Sequence, residues 1–261
     1  MDNLDDLCEA LKVAPKIYDD GLKPGVKATG KVLALIPEAI NAALAPLQQW
    51  IDKREYNVAE TKKLLQLKLD KVGAEHIDMP EPYVAVPALQ AISYTMSSDV
   101  LRNLYANLLA RSMTDSKKNK VHPSFVEIIK QLSPDEARLI SRLSDVDSVP
   151  LIDIHRVINN EGGFFIGLRN FTYLADNICD RHDPIDIAEY IDNLCRLRII
   201  EIPEGRYLAG EDTYKPLEEH PIIVDIMNTP LPKGQRWEIV KKKLEVTSFG
   251  KEFIEVCVKD I

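Results

Sequence analysis

Several groups of residues in this chain have types and spacing that chemistry could use. Gly25–Lys31 follows G-x-x-x-x-G-K, the spacing with which backbone N–H groups cradle a phosphate. Val32 stands where that loop needs Ser or Thr to hold magnesium, and no apolar strand leads into Gly25, so a phosphate loop is rejected. Cys179, His182 and Cys195 could supply thiolate and imidazole ligands. Their C-x-x-H pair lacks a fourth ligand at zinc-binding spacing, and Cys195 falls on the apolar side of its helix. Asp180, Asp183 and Asp186 lack the glycine and terminal Glu of a calcium loop. His122 precedes Pro123 at a helix start, where capping or packing is the default role. No Ser-His-Asp, Cys-His, paired-carboxylate or dinucleotide-binding pattern stands out. The residues therefore predict no catalytic site, no metal and no cofactor, in a protein that is not an enzyme.

Two further groups could bind rather than react. Val32–Ile51 is the most apolar window, with Glu38 as its only charge. It carries Leu33, Leu35, Ile36, Ile40, Leu44, Leu47 and Trp50. A membrane span needs about 20 apolar residues, whereas Asn41, Gln48 and Gln49 dilute this window and Pro37 and Pro46 interrupt it. A constitutive span is not expected. Two readings stay open: a kinked helix in a bundle core, or a segment that meets a membrane or a partner once released. The second group is basic: Arg196, Arg198, Arg206, Lys241, Lys242 and Lys243 would face DNA if the C-terminal half reads a duplex.

Charge bears on that choice. Residues 1–131 hold 17 Lys+Arg against 17 Asp+Glu, and residues 132–261 hold 16 against 24. The whole acidic excess lies in the second half, where a DNA reader needs to neutralise phosphates. That half is therefore expected to bind another protein, or a second copy, and not nucleic acid. The acidic start, MDNLDDLCEA, fits neither a secretory nor a mitochondrial leader, and four scattered cysteines suit a reducing compartment. A cytoplasmic protein is expected.

The elements that must position these residues are mostly helices. Leu101, Leu104, Tyr105, Leu108 and Leu109 share one face at helical spacing. After a lysine-rich loop, Phe125, Ile128, Ile129 and Leu132 form a second stripe. Ser133-Pro134-Asp135-Glu136 then reads as a capping box with Pro at the first helical position. Asp52–Lys71 is a charged helix, and Pro80, Pro82 and Pro87 punctuate the approach to another around Leu89–Tyr94. Together these predict an N-terminal helical bundle over residues 1–131.

Residues 132–261 predict an acidic winged-helix-like domain with a small antiparallel β element, in a fold that is mainly α and α+β overall. Its helices are read at Leu132–Leu143, Leu151–Asn159, Phe165–Asp176 and from Asp183 through Leu194. Ile199–Ile202 and Arg206–Leu208 are read as a strand pair around Pro203-Glu204-Gly205, and Lys243–Thr247 as a later strand. Thr247-Ser248-Phe249-Gly250 then caps a closing helix that bears Phe253 and Cys257.

The order L-R-x-L-Y-A-x-L-L-A from Leu101, followed by V-H-P-S-F-V-E-I-I-K-Q-L-S-P-D-E-A from Val121, resembles the Abi-alpha family, a bacterial group named for abortive infection. Pro80–Tyr94 sits where that family carries a proline-punctuated segment, and Thr61–Leu143 fits the pattern best. The resemblance implies a role in phage defence, in which an infected cell is shut down before virus is released. The expected mechanism is that of a non-enzymatic sensor or effector acting through protein or membrane contact. The alternative is a winged-helix DNA-binding regulator.

Overall fold

The computed structural model describes residues 55–72, 76–92, 98–114, 120–158, 162–175, 184–210 and 212–261. The Gly25–Lys31 loop, Cys179, His182 and the whole Val32–Ile51 window, with Leu33, Leu35, Ile36, Ile40, Leu44, Leu47 and Trp50, lie outside the described residues. The described residues up to Leu132, together with Glu255–Ile261, form one compact unit, and Ser133–Ile254 form a second.

Among the described residues, the first unit is built on four helices: α1 (Glu55–Leu69), α2 (Pro82–Ile92), α3 (Asp99–Ser112) and α4 (Ser124–Lys130). Ser98 caps α3, its hydroxyl accepting the Leu101 N–H. The predicted stripe of α3 is buried, but so are Asn107 and Arg111 on its other sides. It is buried nearly all round because α1, α2 and α4 all pack on it and the last residues of the chain bond to it. His122 starts α4 as a cap: its Nδ1 accepts the Ser124 N–H at 3.1 Å.

The expected N-terminal bundle is not what forms. Two of the four described helices are short, 11 and 7 residues, and a segment from the far end of the chain belongs to the same unit. Periodicity within one half of a sequence cannot disclose a partner that arrives 150 residues later.

The second unit opens with α5 (Pro134–Arg142), where the capping box forms as read. The Ser133 hydroxyl accepts the Glu136 N–H, and Glu136 Oε2 accepts the Ser133 N–H. Beyond this point the winged-helix reading fails. Leu151–Asn159, expected as a helix, is strand β1 (Ser148–Ile158), and most of Phe165–Asp176 is strand β2 (Phe164–Phe171) followed by a 3₁₀ turn at Tyr173–Ala175.

The physical reason lies in residue type. Ile152, Ile154, Val157 and Ile158 are β-branched and stiff, and Gly162-Gly163 precedes β2 as a hairpin turn. Helix α6 (Pro184–Arg196) forms with Ile187, Ile191 and Leu194 buried, as its periodicity predicts. Strand β3 (Ile200–Glu201) pairs with β4 (Gln235–Val246), and not with Arg206–Leu208, which is irregular. There is thus no wing at Pro203–Gly205. Two short helices, α7 (Lys215–Glu218) and α8 (Pro221–Asn228), lie between β3 and β4.

The sheet that results is four-stranded, curled and antiparallel in every pairing, in the order β2-β1-β4-β3. Its backbone is the ladder from Ser148↔Glu245 to Ile158↔Gln235, which joins segments about 90 residues apart in sequence. Helix α9 (Ser248–Phe253) closes the unit. Thr247 caps it by accepting the Gly250 N–H at 2.8 Å, and a Cβ on Gly250 would stand 2.0 Å from the Ile199 carbonyl oxygen. Only glycine lets that helix approach so closely to the chain entering β3.

Candidate interaction surface at the open edge of the sheet

The two faces of the sheet differ in chemistry because alternate residues of a strand point to opposite sides. One face buries Ile152, Ile154, Leu168 and Phe171 against Tyr214, Leu217 and Ile223 from the α7–α8 region. The other carries a polar network. Lys242 Nζ donates to both carboxylate oxygens of Asp153 at 3.0 Å and to Asn170 Oδ1 at 2.8 Å. Asp153 Oδ1 also accepts the Asn170 N–H at 2.8 Å. Asn170 Nδ2 donates to Asp192 Oδ1 at 3.3 Å, and Arg169 pairs with Asp192 at 2.5 Å.

An ammonium has three donors, and Lys242 Nζ has three acceptor atoms within reach. What the network does is hold shape. The β1–β2 ladder shifts register between Ile152 and Ile154, and again between Ile154 and His155. At the end of the bulged strand Asn170 takes a left-handed φ of 57°, a conformation that Asn tolerates better than most residues. Asp153 holds that backbone through the Asn170 N–H, and Lys242 holds the Asn170 side chain. Cys195, nearby on α6, is a thiol pushed up to about 11, first by burial and then by Asp192. Its environment suppresses the thiolate that nucleophilic or metal chemistry requires. Among the described residues, no group of three or more His, Cys, Asp or Glu is placed to hold a metal ion.

The lysine run among the six basic residues singled out in the sequence is split between the two sides of the sheet. Lys241 and Lys243 lie on one face of β4 and Lys242 on the other. Each is engaged: Lys241 with Glu218 at 2.8 Å and over the Tyr214 ring, Lys242 as above, Lys243 with Glu245. Arg196 donates to Asn193 Oδ1 at 2.6 and 3.0 Å. Arg198 ends α6 with its guanidinium 4.0 Å from Glu201, and Arg206 sits on the exposed Pro203–Gly205 turn.

The surface that sequence reasoning missed is the far edge of the sheet. Strand β2 is outermost, its inner edge paired to β1 through His155↔Ile166, Arg156↔Phe165 and Val157↔Phe164. Among the described residues, no strand pairs with its outer edge. There Phe164, Phe165 and Ile166, three consecutive large apolar side chains, are each 55% exposed. Both faces of this corner are pre-organised. Phe164 stacks on His155 with ring centroids 4.2 Å apart and planes 3° from parallel, and Arg156 lies over the Phe165 ring at 4.8 Å. The signal in the sequence was G-G-F-F-I: two turn glycines followed by aromatic and β-branched residues.

Exposed apolar strand edges are normally blunted by charge, proline or a covering element, because their free N–H and C=O groups template another strand. Here Phe164–Ile166 carries none of the first two. The arrangement is fitted to accept an extended partner through main-chain hydrogen bonds, with side chains gripping from both faces.

Comparison with known families matches the chain to the abortive infection alpha family over residues 53–257. Comparisons with curated proteins and with solved structures give no match. Among the described residues, no helix is long and apolar enough to cross a membrane.

Proposed function

This chain belongs to the abortive infection alpha family, and from that premise we propose that it defends against phage without catalysing a reaction, by engaging another protein chain through the open edge of β2. Family membership suggests the role in abortive infection. The observation that carries the mechanism is the exposed run Phe164–Ile166 on an outer strand. Burying it on a partner gives apolar area worth about 25 cal/mol per Å² before the costs of association. The saturated Lys242–Asp153–Asn170 network and the paired lysines of β4 support a binding role over a chemical or nucleic-acid one.

The test is phage challenge of bacteria that express the chain. Replacing Phe164 and Phe165 together by Asp should abolish protection while expression and the circular-dichroism spectrum stay as in the parent. Asp on both faces of the edge would put uncompensated charge into any strand-to-strand contact. Full protection by this double variant would show that β2 is not the contact surface.

A further inference from the structure

We propose that the partner at β2 is a second copy of this chain: two β2 strands pair edge to edge, antiparallel about a two-fold axis centred on Phe165, and join two sheets into one. The inference rests on the preceding reading that β2 is a contact surface, and names the occupant.

Two observations favour a copy over a foreign strand, and a third sets how tightly the copies hold. The first is geometric. In an antiparallel two-fold pairing centred on Phe165, each Phe165 faces its counterpart and each Phe164 faces Ile166 of the other chain. The exposed trio is then its own complement, and it lies ahead of the Leu168 register shift, where β2 still runs in regular pairing with β1. Cross-strand pairs between aromatic and β-branched residues are among the favourable ones in sheets, and isologous dimers are the commonest assemblies.

The second observation is charge. The trio carries none, and the one charge in β2, Arg169, is spent on Asp192. No acidic side chain of β2 is offered to a basic foreign strand, and the like charge that two copies bring near each other is Arg156, which lies over the Phe165 ring. The net charge of −8 per chain acts from a distance and opposes pairing at low ionic strength.

The third is area. An aromatic side chain buries roughly 150–250 Å² when fully covered, so three side chains just over half exposed offer roughly 300 Å² of apolar surface per copy. That is less than half of the roughly 800 Å² per partner typical of a stable interface. Two copies linked by a short ladder and this patch should associate weakly and reversibly. A constitutive dimer would need more surface than the edge supplies.

Sedimentation velocity of the full chain, across the micromolar range and at low and high salt, tests the proposal. The weight-average mass should climb towards the dimer with concentration, and climb more at high salt, because screening removes repulsion between like-charged copies. Phe165→Thr, which keeps a strand-forming residue, should hold the chain monomeric at unchanged melting temperature. Phe165→Cys should cross-link the dimer on oxidation, whereas Val146→Cys, exposed elsewhere on the same unit, should not.

A chain that stays monomeric at every concentration and salt overturns self-pairing, as does a dimer that Phe165→Thr leaves intact. Phage protection in the same strains separates the two readings. A monomeric parent whose protection is lost in Phe165→Thr means that β2 binds a different partner. A monomeric parent whose protection survives the change means that β2 is no contact surface at all.

Discussion

The chemistry of single residues in this protein is decided by what each polar group has already been given. Lys242 is the clearest case. Its three donors meet Asp153 and Asn170, and both charged side chains are largely buried, 22% and 10% exposed. Removing one member of such a pair leaves the other charge buried without a partner, which costs far more than the pair itself contributes. Lys242→Met should therefore destabilise the second unit by about 2–4 kcal/mol, seen as a lower urea midpoint at unchanged slope. Adding Asp153→Leu should return most of the loss. A single variant with an unmoved midpoint would mean that the network is solvated decoration. The run Lys241-Lys242-Lys243 was visible in the sequence as a patch of charge. Its neutralisation was not, since Asp153 and Glu218 approach from other elements.

At the scale of elements, what the sequence showed well was what is local. The stripe of α3, the capping box of α5 and the Thr247 cap of α9 each rest on steps of four residues or fewer, and each formed as read. The strands failed for a specific reason. Leu151, Ile154, His155 and Ile158 fall at the i, i+3, i+4, i+7 spacing of a helix face, and Phe165, Leu168 and Thr172 come close to it. Short apolar runs fit both periods, and length alone does not arbitrate. The deciding partner of β1 is β4, which no local window contains. The open edge of β2 was hidden by the same misreading.

The end of α6 offers a test at this scale. The Ile199 N–H reaches the Leu194 carbonyl and the Arg198 N–H the Cys195 carbonyl, the two bonds of a Schellman ending, with Arg198 at φ 61° where glycine is usual. A residue with a Cβ costs roughly 1 kcal/mol in that conformation, and the exposed, 4.0 Å approach of Arg198 to Glu201 returns little. Arg198→Gly should thus stabilise the protein by about 0.5–1 kcal/mol, read as a higher melting temperature. It should also leave phage protection unchanged, because Arg198 faces no partner in the proposed mechanism. A loss of protection would revive a role for the basic residues.

At the scale of the whole chain, the first unit is completed only by the last residues. Asn107 Nδ2 donates to the carbonyls of Cys257 and Val258 at 2.9 and 3.2 Å, and Arg111 Nη2 to those of Lys259 and Asp260 at 3.2 Å. Lys68 Nζ donates to Asp260 at 2.6 Å, while Val256 and Cys257 are fully buried. Burial holds the Cys257 thiol well above its ordinary range. Stripped of this segment, buried Asn107 and Arg111 would each lose partners at about 1–3 kcal/mol per unsatisfied group, on top of the lost apolar contacts. Such a sum is a large share of the roughly 5–15 kcal/mol by which domains are stable. Residues 255–261 are thus a structural part of the first unit rather than a switch, and a chain ending at Ile254 should fail to fold that unit cooperatively. A milder variant gives the sign of the pH dependence. The hydrogen bond from Lys68, the largest influence, together with the nearby positive charges, holds the Asp260 carboxyl below its usual range, against a smaller opposing effect of burial. A depressed carboxylate stabilises the fold above the unfolded value near pH 4, and that contribution is lost as pH falls through the lower folded value. Thermal unfolding followed from pH 7 to pH 2 should therefore show Asp260→Asn less stable than the parent at neutral pH, with the gap closing at the acid end. Parallel curves for the two proteins across the range would mean that the Lys68–Asp260 pair does not hold the segment in solution.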